Sequence, residues 1–341
     1  MTGPYDALLF VSFGGPEGPE QVIPFLQRVT AGRNVPEERL RLVGQHYFDR
    51  GGVSPINDQC RDLIRRLEAA LADADLDLPV YWGNRNSEPF LESAIRQMAG
   101  DGVQRAMAFI TSAYSSYSGC RQYRENLAAA REAVGPGAPD IDKLRVYFNH
   151  PGFIEPLADR LATVMAEAPA ATHVFFTAHS IPMSMAENSA YVAQLENAVE
   201  LIRARVPVAS SSLVWQSRSG PPTMPWLEPD IVDSVNDLAA DTAHVVIVPV
   251  GFVSDHMEVI QDLDTDARRA VEARGMTLAR VETSGTDPRF IEMIVDLVRE
   301  RVDGATPVAL GDLGLVPDQC STTCCPAPQR PAKPASAVRN G

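Results

Sequence analysis

Phe-Phe-Thr-Ala-His-Ser-Ile-Pro (175–182) ends an apolar run that begins at Thr172 and has the length and composition of a buried β-strand. A second apolar run, 244–250, leads into Gly-Phe-Val-Ser-Asp-His-Met-Glu (251–258). Open α/β sheets bind ligands just beyond the carboxyl ends of their strands. The sequence therefore predicts that the imidazole of His179 and the carboxylate of Glu258 meet at one cleft.

Apolar runs of strand length alternate with longer amphipathic segments along most of the chain, a pattern that is typical of parallel β-α units. Eight strands are predicted, at 7–13, 80–83, 105–111, 144–148, 172–178, 212–216, 243–250 and 276–282. The residues that follow the first three strands resemble those that follow the fifth, sixth and seventh. We therefore expect an α/β fold with two similar doubly wound, Rossmann-like domains, whose parallel four-stranded sheets face a central cleft.

A domain boundary is predicted near His150, where Pro151 and Gly152 follow. The first domain is expected to cover residues 1–150, and the second, which carries His179 and Glu258, residues 151–285. Residues 305–325 carry three cysteines. The sequence beyond Gly304 is rich in Pro, Ser and Ala, and residues 326–341 are expected to form a disordered tail.

The composition predicts a soluble, cytoplasmic protein. The chain has 341 residues, of which 45% are hydrophobic, enough to bury a sizeable core. No apolar run approaches the ~20 residues that span a bilayer, and the start lacks the features of a signal peptide. The formal net charge of −14 disfavours nucleic acid and anionic membrane as partners. We expect a monomer without an integral membrane segment.

Several spaced motifs together resemble the ferrochelatase family, whose members insert ferrous iron into a porphyrin. They are Ser-Phe-Gly-Gly-Pro (12–16), Gly-Gly-Val-Ser-Pro-Ile (51–56), Ala-His-Ser-Ile-Pro (178–182), Trp-Gln-Ser (215–217) and the run that contains Glu258. The resemblance extends from about Leu8 to Val302. It implies that a helix at 286–304 returns to the first domain and that the region after Glu258 contains a widened π-helical turn.

Metal insertion into a porphyrin requires the loss of two pyrrole protons and the delivery of a dehydrated divalent cation. A neutral imidazole can accept a proton or bind ferrous iron, and a carboxylate supplies a hard anionic ligand. The resemblance implies that His179 is the metal-contacting base on one face of the ring. It implies that Glu258 is the essential acid across from it.

Two further aspartates follow Glu258 at intervals of four residues, which places three carboxylates on one face of a helix. Asp262 and Asp266 are therefore predicted to guide Fe²⁺, and the alternative is a solvated acidic face. Asp255 and His256 precede Glu258 and are expected to position it without contacting the metal.

The resemblance also implies which side chains hold the porphyrin. The expected partners of its carboxylates are Arg33, Ser54 and Tyr123, with Ser116, Arg50 and Arg85 as further candidates. Phe13, Tyr117 and Trp215 can pack against the ring faces. Ordinary solvated surface is the alternative for each arginine. Phe13 stands where some relatives have a tyrosine, so a phenolate ligand is excluded at this position.

Four of the five cysteines are predicted to form one site. Cys60 shares the apolar stripe of a helix that begins after Pro55 and is therefore assigned to the core. Cys120, Cys320, Cys324 and Cys325 remain, and four thiolates can hold a [2Fe–2S] cluster or tetrahedral zinc. The resemblance favours the iron–sulfur cluster. Zinc and an unligated, reactive tail are the alternatives, although a Pro-rich segment without a core of its own would need a metal centre to fix it at Cys120.

The resemblance implies a ferrochelatase of the soluble actinobacterial type, with Fe²⁺ as a substrate. The expected porphyrin is coproporphyrin III, which would yield coprohaem and two protons. The alternatives are a protoporphyrin IX ferrochelatase, a cobalt chelatase of the same fold, and a carrier that binds a porphyrin without catalysis. The sequence does not identify the iron donor.

Overall fold

Two parallel β-sheets form the centre of the molecule in the computed structural model, which describes residues 4–33, 35–220, 223–318 and 320–328. Their strands are β1 (Ala7–Ser12), β2 (Val80–Asn84), β3 (Arg105–Ile110), β4 (Asp140–Lys143), β5 (Thr172–His179), β6 (Ser211–Gln216), β7 (His244–Val248) and β8 (Thr277–Arg280). The first sheet has the order β2-β1-β3-β4 and the second β6-β5-β7-β8. Neighbouring strands pair in parallel throughout. The predicted fold class, two α/β domains with four-stranded parallel sheets, is confirmed.

Helices connect the strands and cover both faces of each sheet. In the first half they are α1 (Pro19–Val29), α2 (Glu37–Phe48), α3 (Ile56–Asp73), α4 (Leu91–Gly100) and α5 (Gln122–Val134), with a π-helix at Tyr117–Arg121. In the second half they are α6 (Pro151–Glu167), α7 (Met183–Ala186), α8 (Tyr191–Arg205), α9 (Ile231–Asn236), α10 (Met257–Val259), α11 (Arg268–Ala273) and α12 (Pro288–Val302), with a second π-helix at Ile260–Ala267. No helix within the described ranges combines the length and the hydrophobicity that a membrane crossing requires.

The apolar stripe predicted after Pro55 forms the buried face of α3. Its members recur at intervals of three and four residues and are Ile56, Cys60, Leu63, Leu67 and Leu71. Cys60 is 4% exposed, and burial raises the pKa of its thiol to about 11. The prediction that Cys60 is a core residue is confirmed.

The predicted strand at 144–148 is wrong, because the strand lies just before it, at Asp140–Lys143. This strand is at the edge of its sheet and pairs only with β3, so its side chains are half-buried or exposed and carry no apolar signal. The apolar run leaves the sheet and fills the core instead. There the ring of Tyr147 stacks on that of Phe109 at 5.2 Å and meets the edge of Phe290 at 5.8 Å.

The last helix, α12, packs against α3 and α6. Asp287 caps its first turn by accepting a hydrogen bond from the backbone N–H of Arg289 at 3.1 Å. Gly152 of α6 lies so close to α12 that an added Cβ would be 2.3 Å from the carbonyl oxygen of Arg289, which explains the glycine. The helix predicted at 286–304 is present, whereas the domain boundary near His150 remains a prediction.

The segment that follows α12 is attached to the folded body by side chains. Leu310 and Val316 pack against the main hydrophobic core. Asn149 donates hydrogen bonds from Nδ2 to the carbonyl oxygens of Leu310, at 3.2 Å, and Gly314, at 2.8 Å. Arg301 forms an ion pair with Asp318 at 3.0 Å. The segment therefore does not depend on a metal alone for its position. Of the tail predicted at 326–341, residues 329–341 lie outside the described residues.

Side chains from both sheets meet at the carboxyl edges of the strands. Tyr114, after β3, donates a hydrogen bond from its hydroxyl to the carbonyl oxygen of Val250, after β7, at 2.9 Å. Met257 of α10 packs into an apolar cluster with Phe25, Leu40 and Tyr47 of the first half. These contacts place the residues after β7 directly against α1 and α2.

Candidate active site

His179 and Glu258 lie side by side at the carboxyl edge of the second sheet. His179 is the last residue of β5, and Glu258 belongs to the short helix α10 that follows the neighbouring strand β7. The distance from Nε2 of His179 to Oε2 of Glu258 is 3.6 Å. The side chains are 32% and 50% exposed, so both remain accessible from the cleft.

The hydrogen bond on the other ring nitrogen decides what Nε2 of His179 can do. Nδ1 is 2.5 Å from the carbonyl oxygen of Ser180. Because a carbonyl only accepts, Nδ1 must carry the proton, and in the neutral ring Nε2 keeps its lone pair. This lone pair adjoins the carboxylate of Glu258, and the two acceptors can share a proton or a metal cation.

The spacing of this pair corrects one expectation. Carbon atoms in contact are about 3.5–4.0 Å apart, so a ring held between two groups would separate them by about 7 Å. His179 and Glu258 are 3.6 Å apart and come from neighbouring strands of one sheet. They therefore cannot flank a porphyrin from opposite faces, and both would act on the same face.

Asp262 lies behind this pair, in the π-helix Ile260–Ala267. It accepts hydrogen bonds from the hydroxyl of Ser217 and from Nε2 of Gln216, the latter at 3.3 Å. Burial raises the pKa of Asp262 to about 7, and the nearby charge of Glu258 also raises it, although Ser217 opposes the shift. At neutral pH this carboxyl group is therefore poised to hold or release a proton next to Glu258.

Gln216 and Ser217 belong to this site, although the sequence interpretation used them only as part of a motif. Gln216 is fully buried and pairs in register with His179 across β5 and β6. Its Nε2 also lies 3.4 Å from the carbonyl oxygen of Glu258. Ser217 has a φ of 61°, in the left-handed region that few residues other than glycine adopt. A polar pair at the end of a predicted strand was the signal that could have identified them.

The structure separates Asp266 from the other two carboxylates. Asp266 forms an ion pair with Arg269 at 3.5 Å and accepts a hydrogen bond from Nε2 of Gln261 at 3.1 Å. Its side chain is 38% exposed. Within the predicted stripe, the charge of Glu258 acts on Asp262, while Asp266 lies further along the π-helix and is partly exposed.

Asp255 and His256 hold the loop that precedes Glu258. Asp255 forms an ion pair with Arg280 at 2.7 Å, and Arg280 also contacts Asp264 at 2.7 Å, which ties the loop to the π-helix. Nδ1 of His256 accepts from the backbone N–H of Val259 at 3.4 Å and so caps the turn that carries Glu258. Burial lowers the pKa of His256, which favours the neutral ring that this cap requires.

Three of the expected porphyrin contacts cluster at the edge of the first sheet. The guanidinium of Arg85 lies 4.6 Å from the ring centre of Tyr123 and 5.6 Å from that of Phe13. Such cation–π contacts hold the arginine in place, and its buried Nε has no hydrogen-bond partner among the described residues. Ser54 is buried near Gly15, where an added Cβ would come within 2.6 Å of it.

Other expected contacts already have protein partners. Arg50 donates to Oε1 of Gln261 at 3.0 Å and to the hydroxyl of Thr265 at 2.7 Å, so it links the end of α2 to the second π-helix. The hydroxyl of Ser116 accepts from the backbone N–H of Gly119 at 2.9 Å. Tyr117 donates to Glu125 at 3.0 Å, and Trp215 is buried against Tyr191. Arg33 lies in the exposed turn after α1.

Two cavities are lined by residues close in sequence to His179 and Glu258. The larger, of about 650 Å³, adjoins Ser180 and Trp215 and is lined by Arg218, Leu227, Glu228, Pro229, Asp230, Asp233, Asn236 and Asp237. The smaller, of about 220 Å³, lies between the two sheets and reaches Cys60 and Asp255. Neither contains the catalytic candidates themselves, which face the open cleft.

The four remaining cysteines come together at the first π-helix. Cys120 is buried in the π-helix Tyr117–Arg121, and Cys320, Cys324 and Cys325 are half-buried. The thiol of Cys320 contacts that of Cys324, and Cys120 is near enough to raise the pKa of Cys320 and Cys325. Burial first and then the neighbouring thiols raise the pKa of Cys325 to about 12. These four residues are called the four-cysteine site below.

The four-cysteine site is not arranged around a single ion. Within the described part of the chain, no three His, Cys, Asp or Glu side chains are placed to hold one metal ion. A [2Fe–2S] cluster makes a different demand, because its four thiolates are divided between two irons. Four cysteine thiols are the donor set of such a cluster and also of a tetrahedral zinc site, so the chemistry of these side chains fits either group.

Replacement of Asp262 by Asn should change how stability depends on pH. In the folded state its pKa is about 7, above the ordinary 3.8, so the unfolded chain ionises first as pH rises. This difference costs the wild-type protein stability progressively between about pH 4 and pH 7. The free energy of unfolding of Asp262→Asn, minus that of wild type, should therefore be about 1–2 kcal/mol larger at pH 8 than at pH 5. Thermal unfolding at both pH values measures this, and an equal difference at the two would contradict it.

A sequence model of the family described as Ferrochelatase matches residues 5–302. The chain is 52% identical to the coproporphyrin III ferrochelatase of Streptomyces coelicolor, over 98% of this chain and 96% of that protein. It is 50% identical to the coproporphyrin III ferrochelatase of Nocardia farcinica, over 98% and 99%, and to a ferrochelatase of Rhodopirellula baltica, over 96% and 95%. Among solved structures, SirB from Bacillus subtilis with Fe³⁺ has a TM-score of 0.55 at 13% identity, over 87% of this chain and 96% of that one, and shows the same fold.

Proposed function

This chain belongs to the ferrochelatase family, and from that premise we propose that it inserts Fe²⁺ into coproporphyrin III, which yields coprohaem and two protons. One observation carries the proposal. Nε2 of His179 keeps its lone pair and lies 3.6 Å from Oε2 of Glu258, at adjacent strand ends that open to the cleft. This arrangement supplies a base together with a metal ligand, whereas a carrier needs no base beside a ligand.

The two groups divide the chemistry between them. Nε2 of His179 accepts a pyrrole proton or contacts the iron, and the carboxylate of Glu258 binds the dehydrated cation on the same face. Asp262, with its pKa of about 7, takes up a proton from the pair. Gln216 and Ser217 hold the carboxyl group of Asp262 in place by hydrogen bonds.

The choice of porphyrin rests on the relatives and on the polar anchors. Coproporphyrin III carries four carboxylates, and relatives at about 50% identity over nearly their full length are coproporphyrin III ferrochelatases. Arg85 is held against Phe13 and Tyr123 at the mouth of the first sheet, where a carboxylate could accept from its guanidinium. Arg33 and Ser54 supply further donors. Phe13 packs against the ring on the face opposite His179.

We assign a [2Fe–2S] cluster to the four-cysteine site and place the protein in the cytoplasm as a monomer. The proximity of the four thiols supports the cluster. Five free cysteines and a net charge of −14 support a reducing, aqueous compartment.

The test of this function is anaerobic incubation with Fe²⁺ and either coproporphyrin III or protoporphyrin IX, followed by the loss of the free-base spectrum. We expect rapid insertion into coproporphyrin III and slower insertion into protoporphyrin IX. Faster turnover of protoporphyrin IX would change the assigned substrate. Tight porphyrin binding without any increase in the rate of insertion would indicate a carrier, and activity restricted to Co²⁺ with precorrin-type rings would indicate a cobalt chelatase.

Replacement of Arg33 or Ser54 by Ala should weaken coproporphyrin binding, and Arg33→Ala should have the larger effect. A charge-assisted hydrogen bond contributes about 1.5–3 kcal/mol, against about 1 kcal/mol for a neutral one. Fluorescence titration of the metal-free porphyrin measures both affinities. Arg41→Ala is the control, because Arg41 is exposed and pairs with Glu37 on its own helix. Wild-type affinity in both variants would place the carboxylates elsewhere.

A further inference from the structure

Two arginines that follow Cys120 bind the cysteine-bearing segment: Arg121 at the end of the first π-helix and Arg124 in the first turn of α5. Arg121 donates from Nη1 to the carbonyl oxygen of Cys324 at 3.3 Å. Arg124 donates from Nη1 to the carbonyl oxygen of Cys320 at 3.3 Å. Nη2 of Arg124 is 3.5 Å from the carbonyl oxygen of Ser321 and 3.3 Å from Sγ of Cys324. One guanidinium therefore contacts both the backbone of the segment and a sulfur of the four-cysteine site.

The contact with sulfur is the informative one. A guanidinium donates hydrogen bonds and never accepts them, so Nη2 of Arg124 can donate to Sγ of Cys324 while Nη1 holds the backbone of the segment. Nε of Arg124 is buried and has no acceptor within the described residues. The side chain as a whole is half-buried, so its Nη atoms can reach the segment and the sulfur together.

Electrostatics gives the arginine a second effect. A [2Fe–2S] cluster with four thiolates carries a net negative charge, and one-electron reduction adds another negative charge. The reduced form is therefore stabilised more than the oxidised form by a nearby cation. Hydrogen bonds to the cluster sulfurs act in the same direction, because they spread the added charge.

We propose that Arg124 is a positioning residue of the [2Fe–2S] cluster: it sets the place of the Cys320–Cys324 loop, and it raises the reduction potential of the cluster through its contact with Sγ of Cys324. This inference rests on the cluster assigned above. Arg121 donates to the carbonyl oxygen of Cys324, and it is also paired with Glu125 at 2.9 Å. Arg124 is therefore the residue to test.

The experiment compares Arg124→Gln and Arg124→Lys with wild type and with a matched control, Arg131→Gln. Arg131 lies on the same helix, seven residues and about 10 Å further along its axis, where it pairs with Asp140. Its replacement removes the same charge from the same helix without a contact to the cysteines. The proteins are purified anaerobically, and iron and acid-labile sulfide are counted. The midpoint potential of the cluster is then measured by redox titration with electron paramagnetic resonance detection.

We expect Arg124→Gln to lower the equilibrium constant for one-electron reduction about tenfold, a shift of about 59 mV to more negative potential. Loss of the cluster to an added chelator should also become faster. Arg124→Lys keeps the charge but not the planar fork, so it should retain more of the potential and still lose the cluster faster. Arg131→Gln should match wild type in both measurements.

The midpoint potential describes the clusters that remain, so a partial loss of iron does not obscure it. If Arg124→Gln retains no cluster at all, Arg124→Lys carries the comparison of potentials. A cluster with wild-type potential and wild-type resistance to chelator in Arg124→Gln would overturn the role of Arg124 alone. Wild-type protein without iron and sulfide would overturn the cluster assignment, and with it this inference.

Discussion

Replacement of His179 by Ala, or of Glu258 by Gln, should reduce the rate of iron insertion by at least 10²–10⁴-fold, the usual contribution of a positioned acid or base. Nδ1 of His179 donates to the carbonyl oxygen of Ser180, so the lone pair of the neutral ring is at Nε2, and His179→Ala removes it. Glu258→Gln keeps the shape of the side chain but removes the anionic oxygen that lies 3.6 Å from Nε2. Either change leaves the pair unable to bind both a proton and a cation.

Porphyrin affinity should stay within about tenfold in both variants, a difference of about 1.4 kcal/mol. The expected anchors, Arg33, Ser54 and Arg85, belong to the first half of the chain, and neither substitution touches them. Anaerobic kinetics with Fe²⁺ and porphyrin fluorescence together separate the two effects.

His173→Asn is a suitable control for the substitution of His179. His173 lies on the same strand, β5, but near its other end, where its ring nitrogens contact Ser210 at 2.7 Å and Ser212 at 2.9 Å. Its replacement should leave the rate unchanged. Wild-type turnover in either His179→Ala or Glu258→Gln would remove that residue from the mechanism.

The sequence predicted the parts of the fold that depend on local apolar pattern. Buried central strands such as β1 and β5 are continuous apolar runs, so their positions and the class of the fold followed from the alternation of runs. The edge strand β4 was misplaced because the residues of Asp140–Lys143 are mostly polar and their side chains are half-buried or exposed. An edge strand is defined by its partner, which local pattern does not contain.

For the candidate site, the sequence predicted only that residues at the carboxyl ends of neighbouring strands lie close together. His179 and Glu258 are adjacent because β5 and β7 are neighbours. The same adjacency puts both side chains on one face of the porphyrin, whereas the sequence analysis predicted them on opposite faces. The π-helix at Ile260–Ala267 was expected only from the resemblance, because the local sequence pattern does not distinguish a π-helical turn from an α-helical one.

Contacts across long stretches of chain were beyond sequence reasoning. Arg50 was a candidate for the porphyrin, and its donors instead reach Gln261 and Thr265, more than 200 residues away. Arg124 and Cys324 are likewise 200 residues apart. Nothing in the composition around an arginine distinguishes a ligand anchor from a contact between distant elements.

Protein purified without oxygen should contain about two irons and two acid-labile sulfides per chain, held by the four-cysteine site. Serine at Cys120, Cys320, Cys324 or Cys325 should abolish the cluster. The thiols already lie close together in the folded chain, where burial and the neighbouring thiols raise the pKa of Cys320 and Cys325, and a metal removes this cost because it binds the thiolates. Chemical analysis and the visible absorption spectrum measure the loss directly.

The same substitutions should lower thermal stability, because cluster binding favours the folded state and its free energy is lost with it. The loss should be smaller than complete release of the segment would cause. Leu310 and Val316 still pack against the core, and Arg301 still pairs with Asp318, two residues before Cys320. Cys60→Ser is the control, and it should retain the cluster even if the buried hydroxyl costs some stability.

Cys120 gives the most decisive variant, since it is the one ligand that belongs to the folded body rather than to the C-terminal segment. It is buried in a π-helix whose first turn is capped by Ser116, so its position does not depend on the cluster. Cys120→Ser should therefore remove the cluster without unfolding its surroundings. Stoichiometric zinc without sulfide in the wild-type protein would overturn the assignment. A cluster that survives in Cys120→Ser would also do so, because the three cysteines of the segment would then need a ligand from elsewhere.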